Sequence, residues 1–517
     1  MNRNMILAIL LSSAIYIVWF AFVSPPKKIN TQQENAQQTT ATSHAKSVPD
    51  TSSHQASLPQ IDSSKANKAA AQPIIFKTEK ADFLVDPTNA SISDIVYRGP
   101  VSDVKMSLDP QVSFLNAMDG LDWKIISKNE NSISFYATLS KEIAVRKTFL
   151  FPYEPGINTM ALEFKNLSPK KFHIPSFPVT IGPGLGTVDS ELKENPKICE
   201  GDYIYPEAGK KHPTRAKIKD SSDRGDWLWA GLNNRYFLFA LINEGGLKNL
   251  KNEKKKLGEN SYPYIEAYVS DFELAPGETK KISIPFYGGA KDYKLLKKLG
   301  KGLDRSVDFG FFSPLAKLAD DALHFFYSKT SNYGTAIILL SILIQLMIFP
   351  LSMKSYKAMA AMKKLQPEMQ ALQQKYKDDP KRMNVELMEL YKKHDANPLS
   401  GCWPMLLQLP IFFALFTALR NSWNLHGAHF ALWIKDLSAK DPYYVLPLLM
   451  GGLMFLQQHL NPQTGGDPTQ NKIMKWMPVL FTFMFLSFPS GLVIYWIINS
   501  LFSLGQTIYM KKAEQKN

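Results

Sequence analysis

Residues 333–353 read YGTAIILLSILIQLMIFPLSM, and this uncharged stretch decides the fold class. A helix rises about 1.5 Å per residue, so the stretch is long enough to cross the ~30 Å hydrocarbon layer of a bilayer. Largely uncharged runs follow at residues 404–422, 442–460, 473–488 and 490–510. We therefore predict an α-helical membrane core of five clustered spans within residues 333–517.

A further apolar segment stands near the start of the chain, where residues 5–23 read MILAILLSSAIYIVWFAFV. It ends in FVSPPKK, which lacks the small residues of a signal-peptidase site, so we interpret residues 1–23 as an uncleaved signal-anchor span. Residues 24–72 are mostly Gln, Ser, Thr, Ala, Lys and Asn. Such a segment buries too little apolar surface to offset its chain entropy, and we predict a flexible tether.

Residues 73–300 alternate apolar and polar side chains with the period of a β-strand, for example at Ile133, Phe135 and Ala137. Turn signals such as Gly182-Pro183-Gly184 separate these runs. The pattern predicts a large all-β domain, built as a sandwich.

The segment 301–332 is expected to hold a linker and an amphipathic helix. Ser313 is predicted as the N-cap of this helix, with Pro314 at the first helical position. The helix could pack on its own domain or lie on the membrane surface, and the sequence leaves both interpretations open.

Positive charge is concentrated after the apolar runs. The segment 354–403 carries ten Lys and Arg residues, and the tail carries Lys511, Lys512 and Lys516. The positive-inside rule places both in the cytoplasm, together with the N-terminus, and places the β domain outside. The net charge of +14 is then explained by topology and by affinity for anionic lipids. Nucleic-acid binding is disfavoured because no basic patch interleaved with aromatic residues is present.

The sequence offers no pattern for covalent chemistry. Its nine His residues are scattered, and no HExxH, Cys-x-x-Cys, P-loop or GxSxG motif occurs. The two Cys residues, Cys199 and Cys402, are predicted on opposite sides of the membrane and so cannot pair. We expect a protein that binds and guides its partners, not an enzyme, and one without cofactor or metal.

Polar residues inside the spans are the candidate functional residues. The signal anchor is counted here as the first span, so the five clustered spans are the second to the sixth. Ser341 and Gln345 share one face of the second span, and Tyr495 and Asn499 share one face of the sixth. The third and fifth spans add Gln408, Thr417 and Thr482. Isolated polar residues would indicate interhelical hydrogen bonds, whereas matching polar faces on several spans favour a hydrophilic groove. The spans contain no Asp, Glu or Lys pair of the kind that an ion-coupled transporter uses.

Segment 354–403 has the pattern of a cytoplasmic helical hairpin, with a break predicted at Asp378-Asp379-Pro380 and a second arm from about Met383 to His394. The hairpin could simply pack on itself with solvated lysines. It could also be a basic, Met-rich arm that contacts clients, lipid headgroups or a ribosome-side partner, and the two interpretations are compatible. The candidate contact residues are Met362, Lys363, Lys364 and Met369.

Five long stretches together resemble the YidC-type membrane protein insertases, a family with mitochondrial and chloroplast relatives. They are NYGTAII (332–338), FPLSMKSYKAMAAMKKLQPEMQAL (349–372), NPLSGCWPMLLQLPIFFALF (397–416), FALWIKDLSAKDPYYVLPLLMG (430–451) and FPSGLVIYWIINSL (488–501). With the N-terminal anchor and the outer β domain, the layout is that of the Gram-negative members, so the resemblance covers essentially the whole chain.

The resemblance implies a periplasmic β-supersandwich and a five-helix core in the bacterial inner membrane. The core would have a hydrophilic groove that is open to the cytoplasm and to lipid but closed outside. Nascent membrane proteins would be inserted and folded there, either independently of Sec or together with a Sec translocon. The ribosome, the signal recognition particle receptor and anionic lipids are further implied partners. The groove positions are Ser341, Gln345, Gln408, Thr417, Thr482, Tyr495, Trp496 and Asn499.

Two features depart from the family pattern. The family usually has an Arg in the middle of the second span, where this chain has Gln345, so attraction of acidic clients is expected to be weaker or to move to the hairpin lysines. The tail after Met510 is short, so strong tail-mediated ribosome binding is not expected. Two alternatives remain open, a polytopic channel or transporter with an outer sensor domain and a membrane-anchored outer enzyme or sugar-binding module.

Overall fold

The computed structural model describes residues 72–109, 112–210, 212–219, 221–222, 225–377, 379–394, 403–460 and 468–516. All of them belong to the compact unit that begins at Ala70. The predicted signal anchor and nearly all of the predicted tether lie outside the described residues, and so does Cys402.

Twenty strands lie among the described residues, all before the apolar helices. They are β1 (Ile74–Lys77), β2 (Ala81–Asp86), β3 (Ser91–Tyr97), β4 (Val104–Lys105), β5 (Ser113–Ala117), β6 (Lys124–Lys128), β7 (Ser132–Ser140), β8 (Ile143–Leu150), β9 (Asn158–Asn166), β10 (Phe172–Ile174), β11 (Phe177–Gly182), β12 (Glu200–Tyr205), β13 (Thr214–Lys217), β14 (Ser221–Ser222), β15 (Trp229–Asn233), β16 (Phe237–Ile242), β17 (Leu247–Leu257), β18 (Asn260–Val269), β19 (Phe272–Leu274) and β20 (Thr279–Ala290).

Eighteen of these strands form two antiparallel sheets of nine. The first sheet has the order β1-β2-β3-β5-β11-β18-β17-β14, with β4 paired to β3, and the second has the order β13-β12-β15-β16-β20-β9-β8-β7-β6. The sheets pack face to face, since Phe114 of the first stacks on Phe239 of the second with ring centroids 4.6 Å apart. The predicted β-sandwich is confirmed.

The period-two pattern that predicted the strands is the inward face of the sandwich. Ile133, Phe135 and Ala137 on β7 are buried, and their counterparts on β9 and β20 are buried in the same way. Strands β15 and β16 are buried on both faces. A second apolar cluster therefore covers the far side of their sheet, and Ala414 and Ala418 from the apolar helices join it.

Ten α-helices lie among the described residues. They are α1 (Asn195–Ile198), α2 (Tyr293–Leu299), α3 (Ser313–Thr330), α4 (Tyr333–Lys364), α5 (Gln366–Lys375), α6 (Pro380–Lys393), α7 (Trp403–Arg420), α8 (Val445–Leu460), α9 (Pro468–Phe485) and α10 (Ser490–Lys516). Helices α4, α7, α8, α9 and α10 fall on the five predicted spans. By length and hydropathy, two segments of the described chain could cross a membrane, Tyr333–Met362 and Ser490–Lys512, and the segments at α7, α8 and α9 are shorter. The count of five spans stays a prediction.

Two details of the predicted helices are wrong. Ser313 is the first residue of α3 and not its N-cap, because Phe312 takes that position and no side chain caps the helix. The first arm of the hairpin, predicted as one continuous helix up to Tyr376, is interrupted at Leu365. Helix α4 runs through Pro350 as far as Lys364, and a new helix starts at Gln366 because Pro367 suits a first helical turn. The hairpin turn itself lies near Asp379, where it was predicted.

Candidate functional site

Helices α4 and α10 lie side by side and share a pair of amide side chains. Gln345 on α4 donates a hydrogen bond from Nε2 to Oδ1 of Asn499 on α10. Gln345 is buried and Asn499 is half-buried. One turn before Gln345, the buried Ser341 hydroxyl donates to the carbonyl of Ile337 at 2.6 Å. In an apolar layer an unpaired amide is costly, so the pair fixes these two helices against each other.

A second hydrogen bond joins helix α7 to the same face of α10. Gln408 donates from Nε2 to the Tyr495 hydroxyl at 2.5 Å, and Tyr495 is 1% exposed. Tyr495 and Asn499 are one helical turn apart, so α10 carries both acceptors on one stripe. Four predicted groove residues, Gln345, Gln408, Tyr495 and Asn499, therefore meet at one place. We call these four residues the polar centre.

The polar centre continues toward the ends of α4 and α10 that lead to the hairpin and the tail. The Tyr356 hydroxyl lies 2.7 Å from the Thr507 hydroxyl, and Ser352 is buried on the same side of α4. Gln506 is buried, and its Nε2 has no hydrogen-bond partner among the described residues. A buried amide donor without a partner is a place where a polar group from elsewhere would gain a hydrogen bond.

Sequence reasoning missed Ser352, Tyr356 and Thr507 as candidates. For the two residues on α4 the sequence did contain a signal. Ser352 lies seven residues after Gln345, and Tyr356 lies four residues after Ser352, so these spacings place both on the same helical face as Gln345. Ser352 and Tyr356 lie beyond Pro350, close to the predicted end of the span or past it. The continuous helix α4 carries the stripe past that point.

Trp496 faces a different neighbourhood from the polar centre. Its ring lies 5.3 Å from Phe412 on α7 and 5.1 Å and 5.9 Å from Phe485 and Phe481 on α9. These edge and stacked contacts hold α7, α9 and α10 together through apolar surface. Trp496 thus belongs to an aromatic cluster next to the polar centre.

Thr417 and Thr482 lie apart from the polar centre. The Thr417 hydroxyl donates to the carbonyl of Phe309, at 3.0 Å, in the linker that leaves the β domain. Thr482 on α9 donates to the carbonyl of Pro478 at 2.8 Å, and its side chain fills the space beside Gly451 on α8. Both threonines serve packing contacts in the structure, and their role in a groove remains a prediction.

The hairpin packs on itself through two of the four residues that were proposed as its contacts. Met362 and Met369 are buried in a small apolar cluster with Leu365 and Leu390. Lys364 is exposed, whereas the Lys363 side chain lies outside the described residues. The contact of these residues with a partner remains a prediction.

Charged groups gather at the junction of α3 with the β domain instead of at the polar centre. Burial raises the pKa of Asp320 to about 6, while burial and the nearby Arg215 lower the pKa of Lys291 to about 7. His324 accepts a hydrogen bond from Asn424 at its Nε2, at 3.1 Å. The described residues contain no group of three or more His, Cys, Asp or Glu that could hold a metal ion.

Comparisons with known proteins identify the family. A sequence model described as 60Kd inner membrane protein matches residues 325–517, and one described as YidC periplasmic domain matches residues 200–318. The chain is 36% identical to the membrane protein insertase YidC of Endomicrobium trichonymphae and 33% identical to that of Syntrophus aciditrophicus. The first alignment covers 99% of both chains, and the second covers 99% of this chain and 100% of the relative.

A crystal structure of an active YidC insertase with its first transmembrane domain resolved aligns with 85% of this chain and 93% of its own, at 18% identity and a TM-score of 0.39. The resemblance found in the sequence is confirmed by the full-length relatives. The chain therefore belongs to the family of YidC membrane protein insertases, and it inserts proteins into the inner membrane.

Proposed function

We propose that the polar centre receives the hydrophilic segment of a nascent membrane protein during insertion. The observation that carries this proposal is the meeting of two hydrogen bonds, Gln345 to Asn499 and Gln408 to Tyr495, on one stripe of α10. A hydrophilic client segment loses its hydration when it enters hydrocarbon, at a cost of roughly several kcal/mol for each unpaired polar group. The client segment can exchange hydrogen bonds with the neutral amide and phenol groups of the polar centre. These hydrogen bonds lower the cost of lost hydration without binding the segment permanently.

The apolar part of the client takes a different path in this proposal. It slides into lipid along α7 and α9, whose outward residues are large and apolar, for example Leu406, Phe483 and Leu480. The hydrophobic effect on the client's own span supplies the driving force, so the reaction requires no nucleotide and no catalytic residue. Helices α7 and α9 are short for spans, and a locally thinned bilayer would shorten the path further.

We place the hairpin, both chain termini and the loop after α8 in the cytoplasm, and the β domain in the periplasm. The exposed lysines of α5 and α6 are then available to anionic lipids, to the ribosome or to the signal recognition particle receptor. Cooperation with a Sec translocon fits the same arrangement. These partners are proposals that follow from the charge of the hairpin and from family membership.

Site-specific photocrosslinking tests the proposed path. A photoreactive amino acid at position 345 or 408 should crosslink to a stalled nascent client, and one at position 346, whose Leu side chain is 56% exposed, should crosslink mainly to lipid. Crosslinks from all three positions to lipid alone would contradict the proposal. A full-length chain that inserts clients normally after loss of both hydrogen bonds would contradict it as well.

A further inference from the structure

Helix α3 is held in a junction between the β domain and the apolar helices. Its Ala316 belongs to the apolar cluster that also contains Tyr293 of α2 and Ala418 of α7. At its C-terminal end, the Tyr327 ring stacks on the Tyr333 ring at the start of α4, with centroids 3.9 Å apart. Helix α3 therefore connects the β domain to α7 and to α4.

A small cavity lies at this junction. Its volume is about 10 Å³, enough for about one water molecule. The loop after α7 borders the cavity, and Trp423 in this loop fixes it to the β domain with its ring 5.1 Å from Phe237. The polar side chains that line the cavity are mainly Lys291, Asp320, His324, Asn421, Ser422 and Asn424.

The Asp320 carboxylate in this lining is buried without a full set of partners. Asp320 is 4% exposed, and its Oδ2 has no hydrogen-bond partner in the part of the chain that the structure describes. Among the same residues, the nearest basic side chain is His324, whose Nδ1 lies 3.5 Å from this oxygen. A carboxylate that is both charged and unpaired is costly to bury, so this position favours a neutral group.

The two basic side chains of the cavity are engaged with other groups. His324 accepts the Asn424 amide hydrogen at Nε2, at 3.1 Å, and donates from Nδ1 to the backbone carbonyl of Asp320 at 2.9 Å. A ring with one accepting and one donating nitrogen is neutral. Lys291 donates from Nζ to the Asn234 carbonyl at 2.7 Å, within the β domain. A proton on Asp320 itself therefore remains as the way to remove its charge.

Burial is the largest influence on this carboxyl, and it raises the pKa of Asp320 to about 6. The loop residues that line the cavity are uncharged. The titratable and charged groups that line the cavity or interact electrostatically with Asp320 are Asp321 and His324 on α3, Lys291 and Asp292 before α2, Tyr293 and Lys294 in α2, and Tyr333 in α4.

We infer that Asp320 is a proton-binding site that controls how firmly α3 is held in this junction. The proton resides on Oδ2, and the neutral carboxyl can donate it to a water molecule in the cavity or to a hydroxyl of the lining. At higher pH the carboxylate is charged and unpaired, and its desolvation favours release of α3 from the junction. The contact of α3 with the β domain and α7 thereby responds to the pH on that side of the membrane.

Hydrogen exchange of the full-length protein in detergent micelles, read by mass spectrometry, tests the inference. The exchange of α3 amides at pH 5 and pH 7.5 is divided by the intrinsic rate at each pH. With a pKa of about 6 in the held form and the ordinary 3.8 in the released form, release should be about tenfold rarer at pH 5. Because Lys291 titrates in the opposite sense, protection is expressed relative to the Asp320→Asn variant, and this ratio should rise about tenfold from pH 7.5 to pH 5.

Two further variants show which group binds the proton, each compared with its own Asp320→Asn double variant. Asp321→Asn removes the exposed neighbouring carboxylate and is the matched control, so the rise should persist. His324→Gln removes the imidazole, and the rise should persist there too, because the proton binds to Asp320. Strand β9 should exchange more slowly than α3 in every variant, because α3 leaves the junction while the sandwich stays folded.

Three results would overturn the inference. The first is a ratio of parent to Asp320→Asn protection that is the same at both pH values. The second is loss of the rise in His324→Gln or in Asp321→Asn, which would assign the proton to another group. The third is exchange of α3 and β9 at equal protection, which would mean that α3 is released only when the whole domain unfolds.

Discussion

Replacement of Gln345 by Leu separates the two roles that the Gln345–Asn499 hydrogen bond could have. The substitution leaves the Asn499 carbonyl oxygen without its donor between α4 and α10. An interhelical hydrogen bond in a membrane contributes about 0.6 kcal/mol on average, and an unsatisfied buried polar group adds about 1–3 kcal/mol. Because Asn499 is only half-buried, we expect a loss of about 1–2 kcal/mol in the free energy of unfolding.

The double variant Gln345→Leu with Asn499→Leu removes both polar partners. Apolar side chains of similar size pack in place of the pair, so most of the lost stability should return, with a coupling free energy of about 1 kcal/mol. Insertion should not return, because the polar centre has lost two of the four groups that would hydrogen-bond with the client. In this variant stability therefore recovers while insertion stays impaired.

Two measurements on the same purified full-length protein distinguish a structural role of the Gln345–Asn499 pair from a role in insertion. Unfolding in detergent gives the free energies, and insertion of a client with a polar tail into proteoliposomes, followed by protease protection, gives activity. Gln370→Leu removes an exposed amide on α5 and serves as the matched control, with no change expected in either readout. A double variant that recovers stability and insertion together would refute the reasoning and would reduce the pair to a structural contact.

Further perturbations address charge, packing and pH. Gln345→Arg should increase insertion of acidic-tailed clients over neutral-tailed ones, and equal insertion of both by the parent and the variant would contradict electrostatic selection at this site. Gly451→Val should lower the thermal unfolding temperature through overlap with Thr482, at a cost of about 1–3 kcal/mol, and Thr482→Ala in the same chain should recover part of it. Burial raises the pKa of Asp320 to about 6, so the native fold should gain stability as pH falls from 7 toward 4, by up to about 3 kcal/mol, and Asp320→Asn should abolish that gain in unfolding experiments across pH. Burial lowers the pKa of Lys147 to about 7, so stability should increase as pH rises from 7 toward 10, and Lys147→Met should flatten this increase in the same series.

The β domain was predictable because its signal is local. Alternation at Ile133, Phe135 and Ala137 reports a strand with one buried face, and the buried residues follow that alternation. The order of strands in the two sheets was not predictable in this way. Pairing of β9 with β20 joins residues that are far apart in the chain, and neither strand's own pattern specifies its partner.

Helix boundaries in the membrane core were harder to predict than the helices themselves. The first charge after residue 353 suggested the end of a span, but Lys354 and Lys357 continue the same helix because a lysine in a headgroup region does not interrupt backbone hydrogen bonds. The additional break at Leu365 is explained by Pro367, which favours a first helical turn and so starts α5.

Part of the candidate site could be read from the sequence. Gln345, Gln408, Tyr495 and Asn499 were expected on a shared polar surface, and the structure brings these four together. The position of Trp423 could not be predicted, because an aromatic residue in a short loop between spans is typical of a membrane interface. Its contact with the β domain is a long-range tertiary contact and becomes visible only in the folded chain.

Protection of position 345 by a client tests the central claim most directly. In the background without Cys199 and Cys402, Gln345→Cys and Leu346→Cys are alkylated from the cytoplasmic side of membrane vesicles, with and without a stalled nascent client. We predict that the client protects the thiol at position 345 and leaves labelling at position 346 unchanged. Equal labelling of position 345 with and without a stalled client would contradict the claim that the polar centre receives the client.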